Sequence, residues 1–264
     1  MDLNLKNKTA FISGSTAGIG LAIAERLARE GARVIINGRT EKRVAFAIHE
    51  LKSKVRNAEI EGIPGDLGHK KGCAALLRRL RDVDILVNNL GVFEPKPFEE
   101  ISDDDWLRFF EINVMSGVRL SRAYLPGMKK RNWGRIVFIS SESAVQIPAE
   151  MIHYGMTKTA QIAIARGLAE TCADTGITVN SVLAGPTASE GVSGFIEKLA
   201  NEKKMTPAQF EQEFFKHMRP TSLVKRFLKP EEIASVVAFT CSPEAAAING
   251  AALRAEGGVI KAAL

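Results

Sequence analysis

The sequence predicts one α/β domain, a doubly wound parallel sheet of about seven strands with helices on both faces. Two observations carry this. Short apolar runs recur along the chain, and between them lie stretches whose apolar residues fall at helical spacing. The first run also enters a glycine-rich turn and then a helix, as a buried parallel strand does when it feeds a crossover. No linker, repeat or low-complexity tract divides the 264 residues, so the chain reads as a single domain over 1–264.

In order, the strands are expected at Lys8 to Ser13, Arg33 to Asn37, Ala58 to Ile63, Val83 to Val87, Trp133 to Ser140, Ile177 to Leu183 and Gly250 to Arg254. The first is followed by Gly14-Ser15-Thr16-Ala17-Gly18-Ile19-Gly20 and a helix closed by Gly31. Helices are expected next from Glu41 and over the stretch around Cys73. Ser102-Asp103-Asp104-Asp105 caps a long helix from Trp106 to Lys130. Another runs through Tyr154 and Lys158, and a last one opens at Pro230-Glu231-Glu232. Within 187–228 the pairs Phe195/Leu199 and Phe210/Phe214/Met218, four apart, suggest short helices with one apolar face.

Composition narrows the functional classes. Cys73, Cys172 and Cys241 are isolated, with no Cys-x-x-Cys pair, which argues for a reducing compartment and against a disulfide framework or a metal site. No apolar run approaches ~18 residues and no signal segment is visible, so the expected location is cytoplasmic, without a membrane. The net charge is +6, but the basic clusters around Arg78 and Arg131 sit at helix ends or polar faces without aromatic interleaving. That reads as helix-dipole complement and solvated surface, and no nucleic-acid partner is expected.

Strand, glycine turn and helix N-terminus together make an anion site, because unpaired backbone N–H groups and the helix dipole face the same point. Glycine allows close approach to a diphosphate. The spacing here, Gly14-x-x-x-Gly18-x-Gly20, differs from the common G-x-G-x-x-G, and Ser15, Thr16 and Ile19 complete the turn as further expected cofactor contacts. After the second strand no carboxylate appears before Glu41; instead Arg39 stands there, with Lys42 and Arg43 close behind. An arginine at this place accommodates a 2′-phosphate, so NADP(H) is preferred and NAD(H) remains possible; alternatively Arg39 only starts the next helix. Asp66, before Leu67, is either a partner for an adenine amino group or a helix cap. Asn113, in an apolar helical run, is either a satisfied core amide or a site residue.

Tyr154 and Lys158 stand four apart on one helix, so phenol and ammonium share a face. A nearby positive charge favours the phenolate, and a tyrosine tuned in this way can exchange a proton with an alcohol or carbonyl oxygen.

Together these residues resemble the short-chain dehydrogenase/reductase family, over Thr9 to Gly258. The resemblance implies a Rossmann-like fold, with Gly14, Gly18 and Gly20 as the cofactor loop and Asp66 on the adenine side. Asn88, Asn89, Leu90 and Gly91 resemble the family's sheet-stabilising motif, with Leu90 where alanine is usual. Gly185-Pro186 resembles its nicotinamide-side loop. Asn113, Ser141, Tyr154 and Lys158 are similar to its catalytic tetrad in order and spacing, and Ser140 is the structural alternative to Ser141. The implied chemistry is hydride transfer between a nicotinamide and a small-molecule carbonyl or alcohol. In reduction Tyr154 would give the proton and Lys158 would hold the ribose and favour ionisation of Tyr154. Ser141 would donate to the carbonyl, and Asn113 would hold a water linking Lys158 to solvent.

Loops at the carboxyl ends of the strands should line the substrate pocket: Val92 to Phe98, Ser141 to Glu150, and a lid over 187–228. Phe195, Phe210, Phe214 and Phe215 either cover an apolar substrate or pack within the lid, and Val145, Ile147 and Met151 suggest an apolar wall. No arginine of these loops marks itself as a clamp. The expected enzyme is an NADPH-dependent reductase of ketones or 3-oxoacyl compounds. An NAD-dependent dehydrogenase of a secondary alcohol or sugar is the alternative, and a non-catalytic NADP(H)-binding regulator is a third. The resemblance also implies a homodimer or homotetramer, through the helices at Trp106 to Lys130 and His153 to Cys172.

Overall fold

The computed structural model describes residues 2–189 and 205–263. Its sheet is wholly parallel, in the order β3-β2-β1-β4-β5-β6-β7. The strands are β1 (Thr9–Ile12), β2 (Arg33–Gly38), β3 (Ile60–Pro64), β4 (Ile85–Asn88), β5 (Gly134–Ser141), β6 (Ile177–Ala184) and β7 (Ala252–Ala255). All seven expected strands are present, with ends displaced by one or two residues. The helices are α1 (Gly18–Arg29), α2 (Glu41–Lys54), α3 (Lys70–Arg79), α4 (Asp103–Phe110), α5 (Ser116–Arg131), α6 (Ile152–Glu170), α7 (Pro207–Glu213) and α8 (Pro230–Cys241). This is the Rossmann-like α/β architecture that the sequence predicts.

The apolar runs are continuous because the inner strands are buried on both faces. Phe11 and Ile12 are neighbours on β1, yet side chains alternate and the two join different cores. Ile12, Val34, Ile36, Val87 and Val137 pack with α1 and α8, while Phe11, Leu86, Ile136, Phe138 and Val179 pack with α5 and α6. Alanines on α1 (Ala24, Ala28) and α8 (Ala234, Ala238) are buried where these helices meet. Connections from β1 and β2 run one way along the sheet and those from β3 onward the other, so the strand order reverses between β1 and β4. A crevice opens there at the carboxyl ends of the strands.

The long helix expected from Trp106 to Lys130 is interrupted. α4 starts at a capping box between Ser102 and Asp105, as its acidic first turn suggested. It then widens into a π-helical turn over Glu111–Met115 before α5 continues. Such turns mark places where a side chain is redirected, and here the redirected residue is Asn113. The reason is hydrogen bonding: its amide is drawn to Val92 and Thr157. Of the short helices expected in 187–228, α7 and a π turn over Phe214–Met218 are present, and Phe195 and Leu199 lie outside the described residues. Cys73, Cys172 and Cys241 are free and buried. Among the described residues no helix is long and apolar enough to cross a membrane, and no cluster of metal-ligating side chains occurs.

Candidate active site

The glycine turn joins β1 to α1 across the crevice. Gly14 and Gly18 have φ of +60° and +56°, a region that L side chains rarely adopt. Ala17 offers no side-chain cap, so the first N–H groups of α1 at Gly18, Ile19 and Gly20 face outward without one. Gly20 forms the floor. A Cβ there would lie 2.6 Å from the Gly14 carbonyl oxygen and 2.5 Å from Asn89 Nδ2. Asn89 Nδ2 itself holds the turn, donating to the Ser13 and Gly14 carbonyls at 3.1 and 2.8 Å. The N-terminus, dipole and close backbone fit a diphosphate. Gly20→Ala is expected to strain the turn by roughly 1–3 kcal/mol and to weaken dinucleotide binding about tenfold. Fluorescence titration with NADPH would detect this.

Ser15 turns inward, contrary to its place among the expected cofactor contacts. Its hydroxyl donates to Ile12 O at 2.7 Å and accepts from Asn37 N, and its own N–H goes to Asn37 O. Neither group is left for a phosphate. Asn37, which the sequence did not single out, ties three strand ends together. Its Oδ1 accepts from Gly14 N at 3.2 Å, and its Nδ2 donates to Ile63 O and Gly65 O at 3.0 and 3.1 Å. Leu90 lies against Gly14, beneath the turn. Arg39 is exposed just beyond β2 and forms no ion pair among the described residues, while Thr40 caps α2. Asp66 does not cap α3, whose N-cap is His69; its Oδ1 accepts from Gly68 N at 2.9 Å, and Leu67 is buried.

Tyr154 lies in the first turn of α6 and Lys158 one turn later, with the ammonium 5.5 Å from the phenol ring centroid. Lys158 Nζ donates to Ile139 O at 2.8 Å and to Gln161 Oε1 at 3.3 Å. A Cβ on Gly91 would lie 3.5 Å from both Lys158 Nζ and Asn113 Oδ1. Asn113 is buried and held at both ends of its amide: Oδ1 accepts from Val92 N at 2.8 Å, and Nδ2 donates to Val92 O and Thr157 Oγ1. Its backbone carbonyl accepts from Gln161 Nε2 at 2.6 Å. The two serines separate as the sequence allowed, since Ser140 Oγ is bound to the Lys158 carbonyl. Ser141 Oγ instead donates to the Glu142 carboxylate and accepts from Ser143 N.

Burial pushes the Tyr154 phenol above its ordinary value, the Glu142 charge adds to this, and hydrogen bonding with Ser141 opposes it. The same burial lowers the Lys158 ammonium to about 8, with Glu142 opposing. The sequence led to the reverse expectation for the phenol, that Lys158 would draw it down. Desolvation and a carboxylate that the spacing did not reveal outweigh that effect.

That carboxylate belongs to a buried network. Arg219 Nε donates to Glu142 Oε1 at 2.9 Å, and its Nη1 donates to Glu150 Oε1 and Met218 O at 3.1 and 2.8 Å. Ser143 Oγ adds a hydrogen bond to Glu142 Oε1. No arginine of the 187–228 segment marks itself as a clamp in the sequence, yet Arg219 is buried against two carboxylates. Glu142 and Arg219 are 77 positions apart and join only through the fold. The one local sign was a carboxylate directly after Ser141 at a strand end.

These groups share a cavity of about 230 Å³. Ile19, Asn89, Gly91, Gly185 and Pro186 border it toward the glycine turn. Gly185 sits against the Glu256 backbone, where a Cβ would come within 2.5 Å of the carbonyl oxygen. Ser141, Tyr154, Lys158, Glu142 and Arg219 line it together with Phe93, Phe210, Phe214 and Phe227, and Arg219 lies 5.8 Å from the Phe214 ring centroid. Phe215 is buried and is not among the lining residues. Met151 joins the wall, but Val145 and Ile147 are half exposed and do not; Ile147 packs toward Gly155. Phenol, ammonium, hydroxyl and carboxylate in one small cavity can move a proton to or from an oxygen held there.

A family model described as short chain dehydrogenase matches residues 8–200. An uncharacterized oxidoreductase of Bacillus subtilis, YvaG, is 50% identical over 261 residues, covering 99% of each chain. A 3-oxoacyl-[acyl-carrier-protein] reductase of Aquifex aeolicus is 32% identical over 263 residues, 98% of this chain and 100% of its own. Among solved structures, L-sorbose reductase from Gluconobacter frateurii, complexed with NADPH and L-sorbose, superposes with a TM-score of 0.93. It is 32% identical and covers 99% of this chain and 100% of its own.

Proposed function

Because the chain belongs to the short chain dehydrogenase family, an NAD(P)-dependent oxidoreductase family, we propose that it reduces the carbonyl of a small molecule to a secondary alcohol with NADPH. One observation carries this: Tyr154, Lys158 and Ser141 line a single cavity that runs to the uncapped N-terminus of α1. The nicotinamide supplies hydride when bound. The first N–H groups of α1 would hold the diphosphate, and Lys158 would reach the ribose with the N–H that Ile139 and Gln161 leave free. Tyr154, kept protonated by burial and by Glu142, gives its proton to the carbonyl oxygen. Ser141 donates its hydrogen to Glu142, so it turns to the substrate only when Glu142 releases it.

NADPH over NADH is supported by Arg39, exposed beyond β2, and by the NADPH in the L-sorbose reductase structure. Replacing Arg39 with Ala is expected to weaken NADPH binding about tenfold, through loss of a charge-assisted phosphate contact, and to leave NADH unchanged. Titration of both cofactors checks this, and an unaltered ratio would sink the NADPH preference.

Glu142 bears on the substrate. A buried carboxylate one residue from Ser141 accepts hydrogen bonds from a substrate hydroxyl and repels a carboxylate placed beside the reacting carbonyl. It favours hydroxylated ketones, sugars among them, over 3-oxoacyl thioesters. A panel of hydroxyketones, oxoacyl thioesters and keto acids assayed for NADPH consumption tests both levels: no turnover refutes the reductase, and thioester preference refutes the narrower class. A groove lined by Val118, Leu125, Pro126, Ile164 and Leu168, between α5 and α6, supports a homo-oligomer through these helices.

A further inference from the structure

We infer that Gln161 is a positioning residue for Lys158, its amide standing between Lys158 and Asn113, where the resemblance led to the expectation of a water held by Asn113. Gln161 lies one turn beyond Lys158 on α6 and is almost fully buried. Its Nε2 donates to the Asn113 carbonyl at 2.6 Å, and its Oε1 accepts from Lys158 Nζ at 3.3 Å. One side chain thus spans the lysine and the π turn of Glu111–Met115. The turn is itself anchored by Asn113 to Val92 and Thr157, so the amide is held at both ends.

Two consequences follow from amide chemistry. Oε1 accepts a stronger, charge-assisted hydrogen bond from the ammonium than from the neutral amine, so Gln161 favours the charged form. The other groups that act on Lys158 are the Ile139 carbonyl from β5, the Glu142 charge beyond it and the Tyr154 phenol one turn earlier. Unlike water, a neutral amide does not take up a proton and pass it on near neutrality. A proton therefore does not pass from Lys158 through this amide to the Asn113 carbonyl, and Lys158 also borders the cavity that it shares with Tyr154.

This role rests on the reductase function proposed above, but its test does not need turnover. The titration midpoint of Lys158 is followed by NMR of isotope-labelled lysine in the full chain, and its signal is assigned with Lys158→Arg. Gln161→Leu fills the same space without an acceptor, and the midpoint is expected to fall by about one unit, roughly a tenfold change in proton affinity. Gln161→Ala leaves room for a water against the Asn113 carbonyl, and its midpoint is expected between those of Gln161→Leu and the native protein. Gln161→Glu is expected to raise it. A midpoint that stays put in folded Gln161→Leu and Gln161→Glu would overturn the positioning role. An Ala variant as low as Leu would overturn the replacement of a water. Should the native enzyme reduce no carbonyl, while these shifts appear, the reductase function fails and the lysine clamp stands.

Discussion

A Tyr154→Phe protein is expected to keep its affinity for NADPH and to lose carbonyl reduction by roughly 10²–10⁴-fold, the range that a positioned general acid contributes. The ring remains to pack against Phe93, 6.4 Å away in an edge-on arrangement, so the fold is expected to hold. Only the proton donor goes. The pH profile sharpens the test. Burial and Glu142 hold the phenol above its ordinary value, so the acid stays loaded through neutral pH. Lys158, lowered by burial to about 8, titrates first. Its charged form exists below that value, so kcat/KM for reduction is expected to decline as pH rises past about 8, with one proton lost. Full activity in Tyr154→Phe would remove the acid, and a profile flat to pH 10 would remove the lysine.

The parts of this molecule that depend on local periodicity are legible in the sequence. Phe11-Ile12 and Val137-Phe138 belong to runs apolar on both sides, which only a covered parallel strand explains. Tyr154 and Lys158 were legible because helical spacing puts them on one face. Asn113 was ambiguous, since no spacing rule reveals a π turn that hydrogen bonds from a distant loop create. Ser15 was misread for a related reason: the motif places it at the turn, but not the direction of its hydroxyl. Gln161 looked like one more helix residue, and its meaning depends on Asn113, 48 positions earlier. Glu142 and Glu150 come from the connection between β5 and α6 and Arg219 from the segment after α7, and only the finished fold brings them together.

Replacing Arg219 with Met is expected to have the largest effect on stability. Only 7% of the Arg219 side chain and 5% of the Glu142 side chain are exposed, so the substitution strands a buried carboxylate. Removing one partner of such a pair typically costs about 3–5 kcal/mol, which for a chain of this size lowers Tm by on the order of ten degrees. Glu142→Gln should be milder, because Arg219 keeps Glu150, whose side chain is 36% exposed and can share its charge with solvent. The double variant should recover most of the loss, since no unpaired charge then remains. Thermal unfolding of the four proteins measures this coupling directly, and additive losses would mean that the two side chains do not depend on each other. The same variants reach the chemistry. The Glu142 charge supports the Lys158 ammonium against desolvation, so Glu142→Gln should move the alkaline limb of kcat/KM below about 8. Arg219→Met unscreens that charge and should move the limb up. Opposite displacements from two ends of one salt bridge would tie the stability of the network to the protonation of the lysine, which packing alone would not do.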